Sequence, residues 1–253
     1  MPLLPDASGP PDLRLYAIGD VHGRLDLLRE VHARIARDLV SRPPQAFRVI
    51  HLGDVIDRGA DSRGVIERLI EHQRDGDAVT LLGNHEGAAL DFLRDPLVAG
   101  ERWLAWGGLE TLASYGVEAA APGVGLRSIR DVRDAFARAL PEAHRRFLEG
   151  LPLAERHGDF LFVHAGVRPG RRLERQRADD LTFIREPFLS DPRDHGAVVV
   201  HGHTPRPEPE IRPNRINLDT KAWESGRLSC LVIDGERRAL LGEGGLRPCE
   251  PTG

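Results

Sequence analysis

Short apolar runs that end in glycine followed by acidic, amide or histidine side chains recur along this chain, and they constrain its fold more than any other feature. The run over 13–18 precedes GDVHG, the run over 47–52 precedes GDVIDRG, and the run over 78–82 precedes GNHE. Apolar residues at helical spacing follow the first two motifs, over 25–40 and 62–74. Repeated strand, motif and helix units predict an α/β protein with its motifs at the carboxyl ends of strands.

The last third of the chain is rich in short apolar strands. We predict strands over 160–163, 197–200, 215–218 and 229–234, and the first two precede the histidines of VHAG and GHTP. This β-rich half favours two sheets packed against each other over one doubly wound sheet.

The domain organisation follows from the flanking composition. Residues 1–12 are rich in proline and residues 243–253 read EGGLRPCEPTG, so both are predicted to be disordered tails. Between them we expect a single domain over 13–242, with a helical middle segment at about 87–150 that is interrupted at Pro141.

Composition excludes several classes of protein. The chain has 253 residues, a net charge of −4 and a pI near 6.3, which argues against nucleic-acid binding by bulk electrostatics. No apolar run approaches the roughly 20 residues of a membrane span, and no signal peptide is visible. Two cysteines, Cys230 and Cys249, lack zinc-site spacing. We expect a cytoplasmic protein without nucleic-acid or membrane partners, and its oligomeric state stays open.

Five strand ends carry residue types that bind divalent metals. They are Asp20 and His22; Asp54, Asp57 and Arg58; Asn84, His85 and Glu86; His164; and His201 and His203. Any one of these motifs alone would indicate a turn or a packed histidine. Together they predict a metal site, because a buried cluster of carboxylates is costly unless cations neutralise it.

The residue types favour two metals. An aspartate can bridge two ions, and a two-metal site can generate a hydroxide and support an in-line displacement at phosphorus. Arg58 offers a fork of donors for phosphate oxygens. His85 follows the ligand candidate Asn84, so it could act as a general acid.

The motifs GDVHG (19–23), GDVIDRG (53–59), GNHE (83–86), VHAG (163–166) and GHTP (202–205), in this order, resemble those of calcineurin-like metallophosphoesterases. More narrowly, the chain resembles bacterial phosphoprotein phosphatases from about residue 13 to 240. GGLETLASYG (107–116) and INLDTKAWESGRLS (216–229) are similar to further segments of that branch. The resemblance implies a sandwich of two mixed sheets flanked by helices, in the layer order α-β-β-α.

The resemblance also implies roles for the site residues. The first metal would be held by Asp20, His22 and Asp54, and the second by the bridging Asp54 with Asn84, His164 and His203. A bridging hydroxide would attack phosphorus directly. His85, oriented by Asp57, would protonate the leaving oxygen. The phosphate would be bound by Arg58, Asn84 and Arg185. Mn²⁺ is the expected metal by resemblance, and Fe or Zn²⁺ also suits such ligands.

Several residues keep open alternatives. Arg185 is either a phosphate ligand or a surface arginine, because the family often has tryptophan where Thr182 or Phe183 stands. His201 is either packed or supports a ligand, and we expect Glu86 to support its loop and not to bind metal.

The arginines at 168, 171, 172, 175 and 177 could recruit an anionic substrate, but we expect them to form a solvated face. Trp103 and Trp106 are expected to pack helices. The histidines expected at the surface are His32, His72, His144, His157 and His195.

Three functions remain in view. We expect a serine/threonine protein phosphatase, or more broadly a phosphoric monoester hydrolase, acting on a phosphorylated protein or a small phosphoester. The alternative is a symmetrical dinucleoside polyphosphate hydrolase, which typically carries Gln where His22 stands and lacks the acid at Asp57. A non-catalytic binding module is disfavoured because every matched motif position is intact.

Overall fold

Two mixed β-sheets packed face to face form the centre of the computed structural model, which describes residues 3–74, 76–118 and 128–250. The first sheet has the order β11-β10-β9-β1-β2-β3, and β1, β2 and β3 run parallel. Its strands are β1 (Leu13–Ile18), β2 (Ala46–His51), β3 (Ala78–Thr80), β9 (Cys230–Asp234), β10 (Arg237–Gly242) and β11 (Gly245–Pro248).

The second sheet has the order β4-β5-β6-β8-β7, in which β5, β6 and β8 run parallel. Its strands are β4 (Ala154–His157), β5 (Phe160–Val163), β6 (Val198–His201), β7 (Glu210–Ile211) and β8 (Arg215–Asn217).

Helices cover the outer faces. The α-helices are α1 (Leu25–Ser41), α2 (Ser62–His72), α3 (Asn84–Arg94), α4 (Pro96–Trp103), α5 (Leu109–Ser114), α6 (Ile129–Ala139), α7 (Glu142–Glu149), α8 (Ala178–Phe183) and α9 (Ala222–Ser225). A single π-helical turn, Leu104–Gly108, joins α4 to α5. Pro141 separates α6 from α7, as predicted, because proline cannot donate the hydrogen bond that a continuous helix needs.

Alternation along the strands divides the core into layers. In β1, Leu15 and Ala17 face the second sheet, whereas Tyr16 and Ile18 face the helices. In β5, Phe160 and Phe162 fill the space between the sheets. Side chains thus alternate between the two faces of each strand, and every motif lies where a strand ends. The arrangement confirms the predicted sandwich of two mixed sheets flanked by helices.

The N-terminal segment differs from its prediction as a disordered tail. Leu4–Asp6 form a 3₁₀ turn, and Leu4 and Ala7 are buried against the apolar layer between the sheets. The Leu4 N–H donates to the Pro213 carbonyl at 2.6 Å, and the Gly9 N–H donates to the Gly235 carbonyl at 2.9 Å. The proline-rich composition suggested disorder, but Leu4 and Ala7 within it belong to the apolar layer between the sheets.

The C-terminal prediction is also wrong over its described part. Residues Gly245–Pro248 pair antiparallel with β10, and the loop between the two strands is Glu243-Gly244. Glycines that suggested a tail therefore form a hairpin turn. Among the described residues, no helix combines the length and the apolarity needed to cross a bilayer.

The packed N-terminal segment can be tested by its contribution to stability. We expect Leu4→Ala to lower the free energy of unfolding by about 2 kcal/mol, because it leaves a cavity in the layer between the sheets. Urea denaturation measures the change. Val40→Ala, at a side chain 84% exposed, is the matched control and should stay within about 0.5 kcal/mol of the unaltered chain. Equal stability of both variants would show that the segment is not docked.

Candidate active site

The predicted site residues meet at one end of the two sheets, and the backbone of several of them is strained. Among the described residues, six non-glycine residues have positive φ, and five of them belong to the predicted site: His22 (45°), Asp54 (48°), Asp57 (71°), Arg58 (66°) and His203 (65°). Left-handed backbone costs about 1–3 kcal/mol at such residues and persists only where neighbouring contacts enforce it. The strand ends are therefore shaped to aim side chains inward.

Glu86 enforces the conformation of the Asp54 loop. Its buried carboxylate accepts the N–H groups of Asp54 at 2.9 Å, Val55 at 2.8 Å and Ile56 at 3.2 Å, and also that of Gly83 at 3.0 Å. Four donors to one carboxylate join the loops after β2 and β3. This geometry supports the interpretation of Glu86 as a loop support.

The motif glycines make room for carboxylates. A Cβ at Gly83 would lie 2.2 Å from Asp54 Oδ1, and a Cβ at Gly202 would lie 1.9 Å from Asp20 Oδ1. No side chain can be accommodated at such distances. The glycines of GNHE and GHTP are thus required because the backbone forms part of the wall around each carboxylate.

Asp54 lies at the centre of the site. Its Oδ2 atom is 3.3 Å from His164 Nε2 and 3.8 Å from both His22 Nε2 and His85 Nε2. Burial would raise the pKa of Asp54, but the neighbouring His164 and His85 hold it well below the ordinary value. An ionised carboxylate amid three imidazoles is placed where it could share two cations with them.

Backbone carbonyls orient two of these histidines. The Nδ1–H of His22 donates to the Ile56 carbonyl at 3.0 Å, and that of His164 donates to the Leu52 carbonyl at 2.9 Å. Each ring therefore presents Nε2 to Asp54, as metal-binding histidines do. Burial lowers the pKa of His22 to about 3, so its ring is neutral. Burial also opposes protonation of His164, but the charges of Asp54 and Asp20 raise its pKa to about 10.

Asn84 and Asp20 complete the cluster. Asn84 Oδ1 lies 3.0 Å from His164 Nε2 and 2.8 Å from His203 Nδ1. Asp20 accepts the His203 N–H at 3.0 Å through Oδ2, while its buried Oδ1 has no hydrogen-bond partner among the described residues. Burial and the nearby Asp219 raise the pKa of Asp20 well above the ordinary value.

This donor set fits two divalent cations. Two groups have all their ligand atoms within 4.8 Å of one another, namely His22, Asp54 and His85, and Asp54, His164 and His203. Asp54 is common to both, and Asp20 brings an unpartnered oxygen. Mixed imidazole and carboxylate donors suit Mn²⁺, Fe and Zn²⁺. Bound cations would offset the buried carboxylates and acidify a water molecule.

A third group of histidines fits a metal less well. Arg68 Nε donates to His32 Nδ1 at 3.2 Å, His32 Nε2 lies 2.9 Å from His51 Nε2, and His51 Nδ1 lies 3.1 Å from the Val79 carbonyl. His32 and His72 are stacked, with centroids 4.1 Å apart and planes 11° apart. Parallel stacked rings cannot both direct in-plane lone pairs at one ion, so this is a hydrogen-bonded network of packed rings.

The surface prediction for two histidines is wrong. His32 is buried in that network, and His144 is buried beside Tyr115, whose hydroxyl lies 2.8 Å from His144 Nδ1. His32 lies on the buried face of α1 beside Val31 and Ile35, and His144 lies on the buried face of α7 with Leu148. His201 is also buried, beside Phe188 with ring centroids 5.1 Å apart, which favours the packing alternative.

The Asp57–His85 pair is tightly held. Asp57 Oδ2 accepts His85 Nδ1–H at 2.7 Å and Trp103 Nε1–H at 3.0 Å, while Oδ1 accepts the Thr111 hydroxyl at 2.6 Å. Burial alone would lower the pKa of His85, but Asp54 and Asp57 outweigh it and raise that pKa. The two carboxylates thus favour the protonated form of His85, which is the form that a general acid needs.

Sequence reasoning missed the contribution of Trp103 and Thr111 to that pair. Trp103 does pack in a helical core, between Phe92 and Phe136, as expected. Its indole N–H nevertheless reaches the site, and Thr111 lies in the GGLETLASYG segment that the resemblance singled out. Only the position of the helices shows that these donors converge on Asp57.

The π-helical turn holds Arg58. The Arg58 N–H donates to the Gly107 carbonyl at 3.2 Å, and its Nε–H donates to the Trp106 carbonyl at 3.3 Å. Gly107 has φ 111°, and a Cβ there would lie 2.6 Å from Arg58 N. The guanidinium donates to His22 Nε2 at 3.1 Å, and it also lies 3.1 Å from His85 Nε2. Arg58 is therefore fixed at the edge of the cluster.

Of the other arginines considered as anion ligands, Arg185 differs from Arg168 and Arg171 in its contacts. Arg185 is exposed, and its charge adds to burial and to the charge of His164 in lowering the pKa of His203 to about 3. Arg168 and Arg171 instead pair with Asp180, Arg168 at 2.7 Å. Arg185 stays a predicted phosphate ligand, whereas this pairing favours a structural role for the other two.

Comparison with known proteins identifies the family. The model of the calcineurin-like phosphoesterases matches residues 13–226. The chain therefore belongs to the calcineurin-like phosphoesterase family and is a metallophosphoesterase hydrolase, which confirms the resemblance in its motifs.

Two relatives with similar sequences have names that state a substrate. The asymmetrical bis(5'-nucleosyl)-tetraphosphatase PrpE of Anoxybacillus flavithermus is 26% identical over 233 residues, which cover 85% of this chain and 88% of the relative. The PrpE protein of Oceanobacillus iheyensis is 25% identical over 228 residues, covering 82% and 84%.

Solved structures share the fold. A protein described as a candidate diadenosine tetraphosphatase has a TM-score of 0.62 and 22% identity, covering 98% of this chain and 96% of that one. A point mutant of a cold-active protein tyrosine phosphatase has a TM-score of 0.61 and 15% identity, covering 95% and 83%. At these identities the likeness concerns the architecture.

The hydrogen bond from Thr111 to Asp57 gives a prediction about His85, the predicted acid. We expect Thr111→Val to lower kcat for an alkyl phosphate about 10-fold, because Asp57 loses a donor and holds His85 less firmly. Steady-state kinetics on the metal-loaded protein measure the change, and metal content should be unaltered. Thr111→Ser keeps the hydroxyl and should restore most of the rate. Loss of bound metal in Thr111→Val would show instead that the substitution disturbs the whole site.

Proposed function

We propose that this chain is a dinuclear metal-dependent hydrolase that cleaves phosphate bonds with His85 as the general acid. The observation that carries the proposal is the position of Asp54 Oδ2, within 3.8 Å of the Nε2 atoms of His22, His85 and His164. One carboxylate oxygen is thereby within reach of both proposed metal positions and of the proposed acid.

The other residues have roles that follow from their contacts. We propose that Asp20, His22 and Asp54 hold one cation, and that Asp54, Asn84, His164 and His203 hold the other, with Mn²⁺ as the expected metal. Arg58, fixed by the π-helical turn, would bind phosphate oxygens together with Asn84 and Arg185. His85 would transfer its proton to the leaving oxygen, and Asp57 would stabilise the charged imidazole until then.

Dinucleoside polyphosphates are the substrate class that we propose first. Both curated relatives, at 26% and 25% identity over more than four fifths of the chain, are named as asymmetrical tetraphosphatases. That name differs from the symmetrical class considered on the basis of sequence. His22 and Asp57, which diadenosine tetraphosphate hydrolases typically lack, favour the phosphatase instead. A serine/threonine protein phosphatase remains the second candidate, because the phosphatase motifs are complete.

Dependence on the leaving group tests His85 as the acid. We expect His85→Asn to lower kcat for an alkyl phosphate by about 10²–10⁴-fold, the usual contribution of a general acid. The loss should be much smaller for p-nitrophenyl phosphate, whose leaving group needs little protonation. Metal analysis serves as the control and should give equal content in both proteins. Equal losses on the two esters would remove His85 from this role.

A competition assay tests the substrate class. The Mn²⁺-loaded protein is mixed with diadenosine tetraphosphate and a phosphothreonine peptide at equal concentration, and both are followed by mass spectrometry. We expect the dinucleotide to be consumed first, with ATP and AMP as products. Earlier consumption of the peptide would favour the protein phosphatase, and two ADP molecules per dinucleotide would indicate symmetrical cleavage.

A further inference from the structure

Three aromatic side chains surround the outer edge of the site, and no step above uses them. We call them the aromatic rim: Trp106, Phe183 and Trp223. They come from separate segments, namely the π-helical turn, the end of α8 and helix α9. Residues so far apart in sequence are brought together only by the fold.

Each ring of the rim lies beside a residue of the proposed machinery. The Trp106 ring centroid is 5.6 Å from that of His85, and the Phe183 centroid is 6.4 Å from that of His203. Trp106 and Phe183 are 6.3 Å apart, so they form one continuous surface. The Arg58 guanidinium carbon lies 5.5 Å from the Trp223 ring. The rim therefore borders the position where phosphate oxygens would be held.

The rim is open to solvent. Phe183 is 39% exposed, and Trp106 and Trp223 are half-buried. Trp106 packs against the core as expected but keeps part of its ring in solvent, whereas Trp103 is fully covered at 0% exposure. An exposed aromatic surface beside a polar site is the unusual feature here, and such surfaces commonly contact a ligand.

Cations accompany the rings. Arg102 lies 5.1 Å from the Trp106 ring. Lys221, the single lysine of the chain, lies 5.2 Å from the Trp223 ring and is paired with Glu224. The exposed Arg185 follows Phe183 by two residues. Planar apolar faces alternating with positive charge match a ligand that joins a flat ring to several phosphates.

We propose that the aromatic rim binds a nucleobase of the substrate by stacking, and so selects nucleotides over phosphorylated serine or threonine. This inference rests on the proposed function only in taking Arg58 and His85 as the phosphate end of the site. Because Trp106 lies against His85, the base on the Trp106–Phe183 surface belongs to the leaving group. Base stacking on aromatic rings tolerates any base, so the rim supplies affinity for nucleotides without strict base choice.

Binding of non-hydrolysable ligands tests the rim. Calorimetry compares adenosine 5'-(α,β-methylene)diphosphate with methylenediphosphonate, which keeps the bisphosphonate and lacks the nucleoside. With Mn²⁺ in excess, we expect the nucleotide to bind at least about 10-fold more tightly. Phe183→Leu should remove most of that preference, whereas Phe183→Tyr, which keeps a ring, should retain it. Leu246→Ala, at a residue 38% exposed and outside the site, is the matched control and should keep the full preference.

Several results would overturn the proposal. Equal affinity of the unaltered protein for the two ligands would do so, as would a nucleotide preference that survives both Phe183→Leu and Trp223→Leu. A second pair of ligands, phenylphosphonate and methylphosphonate, covers tyrosyl substrates. If phenylphosphonate shows the same preference and loses it in Phe183→Leu, the rim holds a phenyl leaving group and the nucleobase assignment is wrong.

Turnover measurements on the same protein distinguish a failure of this inference from a failure of the proposed function. Hydrolysis of ethyl phosphate and of inorganic tripolyphosphate is measured alongside binding, because neither carries a ring. Turnover without a nucleotide preference would leave the hydrolase intact and refute the rim. A rim-dependent preference with no turnover of any phosphate ester or anhydride would refute the hydrolase and support the rim.

Discussion

The carboxylate of Glu86 is the contact on which the geometry of the site depends. It accepts four backbone N–H groups from the segments that follow β2 and β3. The first segment carries Asp54, and the second leads into α3, which begins with Asn84 and His85. The four hydrogen bonds to this one side chain hold Asp54 in its positive-φ conformation, with its carboxylate among three imidazoles. The candidate metal ligands can then have a strained backbone and carboxylates that repel each other, because the backbone around them is fixed.

The helical middle segment is part of the site rather than an addition to it. Trp103 and Thr111 donate to Asp57, and the carbonyls of Trp106 and Gly107 hold Arg58. The π-helical turn makes both contacts possible, since it shifts the register between α4 and α5 and presents carbonyls that a regular helix would keep for itself. The proposed acid, His85, and the proposed phosphate ligand, Arg58, therefore depend on residues that are distant in sequence.

The elements with strong periodicity were predictable. The predicted strand over 13–18 coincides with β1, and the helix over 25–40 differs from α1 by one residue, because apolar alternation and helical spacing there reflect burial directly. The strands β4, β7, β10 and β11 were not predicted. They are short or carry charged residues, and their pairing depends on neighbours that the local sequence does not show. The prediction for the N-terminal segment was wrong for the same reason. The residues that bury Leu4 come from distant strands, which the local sequence does not show.

The sequence by itself determined the α/β class, the strand ends that bear chemistry and the family, because motifs such as GDVHG and GNHE combine required glycines with ligand side chains at fixed spacing. The tertiary structure alone decided which side chains meet. It assigned Asp54 to the centre, gave Asp57 its donors, buried His32 in a packed network and assembled the aromatic rim from three segments. Local sequence encodes the direction of a side chain relative to its own backbone, whereas a contact across the sheets depends on how helices and strands pack.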